Sequence, residues 1–154
     1  YVMGGLALFV LAGSASVTVF LVRSVPSATV MNFGIVAVLI GQIVTLVGIE
    51  ASSIVTFFVG GVISGAGFGA GFQGAVRMVL PLAEPHQRAG VLSMVYVVCY
   101  LAMGLPAVIA GYRVVHSDVV TTGEEYGVAV IVLVVIAAIG QIATQVRTRA
   151  RAIA

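Results

Sequence analysis

Apolar and charged positions alternate along this chain in long blocks. Five stretches, at about 1–22, 29–49, 53–77, 89–112 and 126–146, carry almost no charge and are separated by short polar breaks. At about 1.5 Å of rise per helical residue, each covers a hydrocarbon core about 30 Å thick. Inside lipid every backbone N–H and C=O must be paired within its own segment or in a closed barrel, and these blocks lack the period-two alternation of barrel strands. The pattern therefore predicts an all-α, polytopic helical membrane protein with five transmembrane helices, as a single membrane domain over residues 1–154. The first block is not a secretory signal. It has no basic start, it is too long, and further spans follow it. Tyr1 opens directly into apolar sequence, so the chain reads as a piece of a longer protein whose earlier spans precede it.

Composition narrows this further. With 61% hydrophobic and 8% charged residues and a mean hydropathy of +1.23, the chain lies outside the balance of water-soluble domains. The expected partner of most of its surface is a lipid bilayer, and no nucleic acid is expected.

The seven basic residues are all arginine, and their placement is one-sided. If the spans alternate, Arg23, Arg77, Arg88, Arg147, Arg149 and Arg151 share one face, whereas Arg113 shares the other with Glu50, Asp118, Glu124 and Glu125. The positive-inside rule then puts the arginine-rich face in the cytoplasm, with the N-terminus of this chain outside a plasma (inner) membrane and its C-terminus inside. A register slip pulling Arg77 to the membrane centre would cost roughly 2.5–3.5 kcal/mol, which favours keeping the charges at the helix ends. Arginine-only, Ala/Val/Gly-rich usage goes with a GC-rich bacterial source.

Chemistry is sparse. Cys99 is single, so neither a disulfide nor a cysteine metal site follows, and His86 and His116 fall at opposite faces. No metal and no cofactor are expected. Within the blocks the polar side chains are Ser14, Ser16, Thr18, Gln42, Thr45, Ser64, Gln73 and Gln141, none ionisable. That removes the usual intramembrane markers of a proton relay, and no nucleophile sits with a base, so no enzyme is expected.

Glycine carries the next signal, concentrated in the third block at Gly60, Gly61, Gly65, Gly67, Gly69, Gly71 and Gly74. Small residues four apart, as in Gly61, Gly65 and Gly69 or in Gly67 and Gly71, let membrane helices approach closely. They predict one tight contact face, serving static packing or a sliding surface. The run Gly69-Ala70-Gly71-Phe72-Gln73-Gly74 also fits a dinucleotide fingerprint, but that motif needs a preceding strand, which this context denies. In the fourth block Pro106 removes the hydrogen bond to the Ala102 carbonyl, with Gly104 nearby. Tyr96 and Tyr100 lie one turn apart on that helix and either bond a neighbouring helix or line a cavity. Gln73, beside the glycines, has the same two readings. Between the third and fourth blocks, Arg77 and Arg88 flank Glu84 and could pair with it or simply mark topology.

Three segments together, Gly65–Ala75, Ala83–Ala89 and Tyr96–Ala107, resemble the C-terminal half of a major facilitator superfamily transporter. The resemblance covers the whole chain and implies a partial bundle of that type, equivalent to its last five helices. It departs from the family where the first two spans meet, since only Arg23 stands where an Asp and several basic residues are common. It implies secondary active transport of a small-molecule substrate by alternating access, with the missing N-terminal transmembrane helices of the same protein as partners. The first, third and fourth spans would then face the cavity, and the second and fifth would support them from the lipid side. Candidate cavity residues are Ser14, Gln73, Tyr96 and Tyr100. Gly61, Gly65, Gly67, Gly69, Gly71 and Pro106 would serve packing and conformational change, and Arg77, Glu84 and Arg88 the cytoplasmic loop. The alternative is a non-transporting scaffold or accessory subunit that binds partner helices through the glycine-rich third span.

Overall fold

The computed structural model describes residues 2–116 and 119–153, with side chains described for 3–116 and 119–146. Asp118 and the side chains of Arg147, Arg149 and Arg151 fall outside this set. The apolar blocks form helices α1 (Val2–Leu21), α2 (Ser27–Glu50), α3 (Ile54–Val79), α4 (Arg88–His116) and α5 (Val119–Ile153), with single 3-10 turns at Val22–Ser24 and Leu80–Leu82. All five are long and apolar enough to cross a membrane. The 26 residues of α3 alone run about 39 Å. Pro26 precedes α2, and Pro81 sits in the 3-10 turn that ends α3, both where a missing backbone N–H is harmless. The dinucleotide-like run lies wholly inside α3, far from any helix start.

The turn between α2 and α3 is tight. Ser53 caps α3 by accepting the Thr56 N–H at 3.3 Å, while Ser52 takes a positive φ of 51°. An L side chain is strained there and a β-branched one more so. Ser52→Gly should hold or slightly raise the thermal unfolding temperature in detergent, and Ser52→Val should lower stability by about 1–2 kcal/mol.

What packs together is small. Among the described residues the buried apolar side chains are Val30, Ala37 and Ala70, while Leu8, Phe9 and Phe20 are each more than 70% exposed. A soluble protein does the reverse. Here the large side chains point outward to where acyl chains would lie, and glycines hold the centre. α3 is the hub, packed on α1 and on α2, and α2 packs in turn on α5. α4 lies against α5 and buries none of its own residues.

The fourth and fifth helices run longer than the polar pattern at 113–125 predicts. Arg113 and His116 lie on the last turns of α4, and Glu124 and Glu125 lie within α5. Both Arg113 and Glu125 find a charged partner across the two helices, so neither needs a loop to reach water. α2 also differs from a simple lipid-side support. Its Phe33, Val36, Ile40, Ile43 and Val47 form an exposed apolar stripe, but its opposite face, at Val30, Gly34, Ala37, Gly41 and Gly48, is buried.

Candidate functional site

The site begins with what is rigid. On α2 the buried glycines recur every seven residues, at Gly34, Gly41 and Gly48, and α3 answers with Gly60, Gly67 and Gly74. The helices run antiparallel in constant register: Gly34 faces Gly71, Gly41 faces Ser64, Gly48 faces Phe57, Gly60 faces Thr45, Gly67 faces Val38 and Gly74 faces Met31. A methyl group added at Gly48 would lie 2.5 Å from the Phe57 nitrogen, and one at Gly67 would lie 2.5 Å from the Val38 nitrogen. Backbone meets backbone, so nothing can yield. On a second face, Gly65 and Gly69 sit against Leu11, Ser14 and Ala15 of α1. The expected single contact face is therefore two. Gly65 and Gly69 serve α1, Gly67 serves α2, Gly71 gives its backbone to the Gly34 contact although a methyl group on Gly71 itself would have room, and Gly61 has no atom within 4 Å of a side-chain position.

Against this locked three-helix unit α4 leaves an open groove of about 190 Å³, lined by Phe68, Phe72, Tyr96, Cys99, Tyr100 and Met103. The rings form a ladder: Phe68 stacks on Phe72 at 6.4 Å between centroids, and Phe72 meets Tyr96 at 6.3 Å. Both tyrosines thus share one groove, as their one-turn spacing predicts. Ser14 and Gln73 do not line it. Ser14 lies at the α1–α3 contact and donates to the Leu11 carbonyl at 3.0 Å. Gln73 lies one turn beyond Gly69 and one turn before Arg77 on α3. Pro106 lies in the unbroken α4 and faces a second cleft, about 460 Å³, between α4 and α5.

Most hydroxyls in the bundle are satisfied within their own helix: Ser16 donates to Ala12, Thr18 to Ser14 and Thr45 to Gly41, each to the carbonyl four residues back. Among the described residues three buried polar atoms stand apart, with no hydrogen-bond partner: Ser64 Oγ, Gln73 Oε1 and Gln141 Nε2. Burying such an atom unpaired costs about 1–3 kcal/mol, so these are places where stability has been given up.

In the charged loop neither Arg77 nor Arg88 is paired with Glu84. Glu84 pairs with His86 at 3.5 Å, and Arg77 reaches back to the Val22 carbonyl at the end of α1, also 3.5 Å. The helix-end tie thus runs from α3 to α1 rather than through Glu84, because the close α1–α3 packing brings that carbonyl within reach of the Arg77 side chain. At the other end Arg113 and Glu125 form a two-pronged pair, with Nε to Oε2 at 3.0 Å and Nη2 on Oε1. Its partners are about half exposed, so Arg113→Gln should cost no more than about 1 kcal/mol, and less in high salt, by thermal unfolding.

Two site features lay outside the sequence reading. The seven-residue glycine spacing on α2 is visible in the sequence once looked for, whereas the pairing of Phe68 and Phe72 with Tyr96 depends on how α4 sits against α3. Comparison with protein-family models, with curated proteins and with solved structures finds no match.

Proposed function

We propose that this chain is the helical membrane part of a carrier that moves a small solute by alternating access, with its arginine-rich end in the cytoplasm. The reading is supported above all by one contrast: α1, α2 and α3 are locked by glycine contacts, whereas α4 is held loosely and shares an aromatic groove with α3. A rigid unit beside a loosely held helix suits a rocking element, and the groove offers a face for a solute. Further helices of the same protein would close it. The scaffold reading has less to work with, because the glycines of α3 are largely occupied by α1 and α2 and only Gly61 stands open.

The test needs no known substrate. In the complete protein with Cys99→Ala, single cysteines at Tyr96 and Tyr100 should react with a water-soluble thiol reagent, while cysteines at Val36 and Ile43 on the exposed stripe of α2 should not. Equal inertness at all four positions would remove the groove as a solute path. Once a substrate is found, replacing both tyrosines with Phe should lower transport several-fold, and unchanged uptake or efflux would take them off the path.

A further inference from the structure

At the arginine-rich end of the bundle α2 and α5 diverge around a pocket of about 430 Å³. Its wall is made by Thr29 and Asn32 from the first turns of α2, Gln141, Thr144 and Gln145 from α5, and Met78 near the end of α3. Three side-chain amides thus gather in a chain whose spans otherwise hold few polar groups. Gln145 Nε2 donates to Asn32 Oδ1 at 3.1 Å, which ties α5 to α2 and leaves the Asn32 amino group directed elsewhere. The Thr144 hydroxyl donates to the Gly140 carbonyl at 2.9 Å. Gln141 Nε2 is buried with no partner. The terminal torsion of glutamine is broad, so a small rotation presents this donor to the pocket.

The amides and hydroxyls here supply several donors, and no acid lines the pocket among the described residues. Just beyond it, α5 continues through Arg147, Arg149 and Arg151. Beside it, Phe33 and Val36 on α2 and Ile142 and Val146 on α5 are exposed apolar surface on which acyl chains can lie. A pocket with amide donors and flanking apolar stripes, on a helix whose sequence runs on into three arginines, matches a lipid with an anionic head and two tails. We propose that it seats the phosphodiester headgroup of an anionic phospholipid, held by the amide N–H groups of Asn32, Gln141 and Gln145. The inference rests on the arginine-rich end facing the anionic leaflet and is independent of what the groove at α4 carries.

The test uses the complete protein in neutral detergent, titrated with phosphatidylglycerol or phosphatidylcholine and followed by native mass spectrometry and thermal unfolding. Phosphatidylglycerol should bind at least about tenfold more tightly than phosphatidylcholine and raise the unfolding temperature. Asn32→Leu with Gln141→Leu should remove most of that preference and most of the shift. Gln141→Glu, nearly the same shape but negative, should repel the phosphate and abolish both while keeping the helix content of the parent. Equal binding of the two lipids, or an unchanged preference in Gln141→Glu, would overturn the proposal. Displacement of the lipid by millimolar glycerol phosphate would reassign the pocket to a soluble phosphate ester and overturn the lipid as its occupant.

Discussion

Gly67→Ala should unfold this bundle far more readily than Gly61→Ala, although the two glycines lie less than two turns apart on the same helix. At Gly67 the added methyl would lie 2.5 Å from the Val38 nitrogen and 2.9 Å from the Ala37 carbonyl carbon. Both are main-chain atoms of α2, so relief requires moving a helix that is itself packed on α5. Overpacking of this kind costs about 1–3 kcal/mol and sometimes more, and Gly67→Val should exceed that. The substitution also gains helix propensity of up to about 1 kcal/mol, which the clash outweighs. At Gly61 no atom lies within 4 Å of the new side chain, so only the gain remains. Circular dichroism during heating in detergent is the suitable measurement, because the chain has no tryptophan. A drop at Gly67 with none at Gly61 is the expected pattern. Equal effects at the two positions would mean that the seven-residue glycine register does not hold the helices.

Gln73→Leu should move stability and activity in opposite directions. Gln73 Oε1 is buried with no partner, an arrangement that costs about 1–3 kcal/mol and that an apolar side chain of similar size relieves. Stability of the variant should rise by about 1 kcal/mol. In the carrier proposed above, transport by the complete protein should fall, a common trade between stability and activity where a buried polar atom is left unpaired. A fall in stability would instead mark Gln73 as the partner of some group in the complete protein, and unchanged transport would show that the unpaired atom serves no step of the proposed cycle.

Much of this fold is legible in the sequence because lipid imposes a simple rule. A block of apolar residues long enough to cross must be helical, and its arginines must sit at its ends, so the helices at α1, α2 and α3 fall within about two residues of the expected spans. The bounds between α4 and α5 were less legible: Arg113 does sit in the last turn of α4, but α4 runs on to His116 and α5 starts at Val119, so Arg113 and Glu125 pair from two helices rather than from a loop. Glycine density pointed to α3, but density hides which face each residue serves. Spacing shows it: Gly34, Gly41 and Gly48 on α2 only gain meaning beside Gly60, Gly67 and Gly74. The groove was half legible. Tyr96 and Tyr100 share a face by helical period alone, whereas their neighbours Phe68 and Phe72 come from a helix whose angle to α4 no local pattern encodes. Ser14 lies deep in its apolar block, but spacing and depth do not give direction, and it packs in the α1–α3 contact.

Everything above depends on alternate crossing of a bilayer by these helices. The most direct test places single cysteines, in a Cys99→Ala background, at Ser24 between α1 and α2 and at Ala51 between α2 and α3, and treats intact cells with an impermeant thiol reagent. Ala51→Cys should label from outside, and Ser24→Cys should label only after the membrane is opened. Labelling of both from the same side would contradict the account.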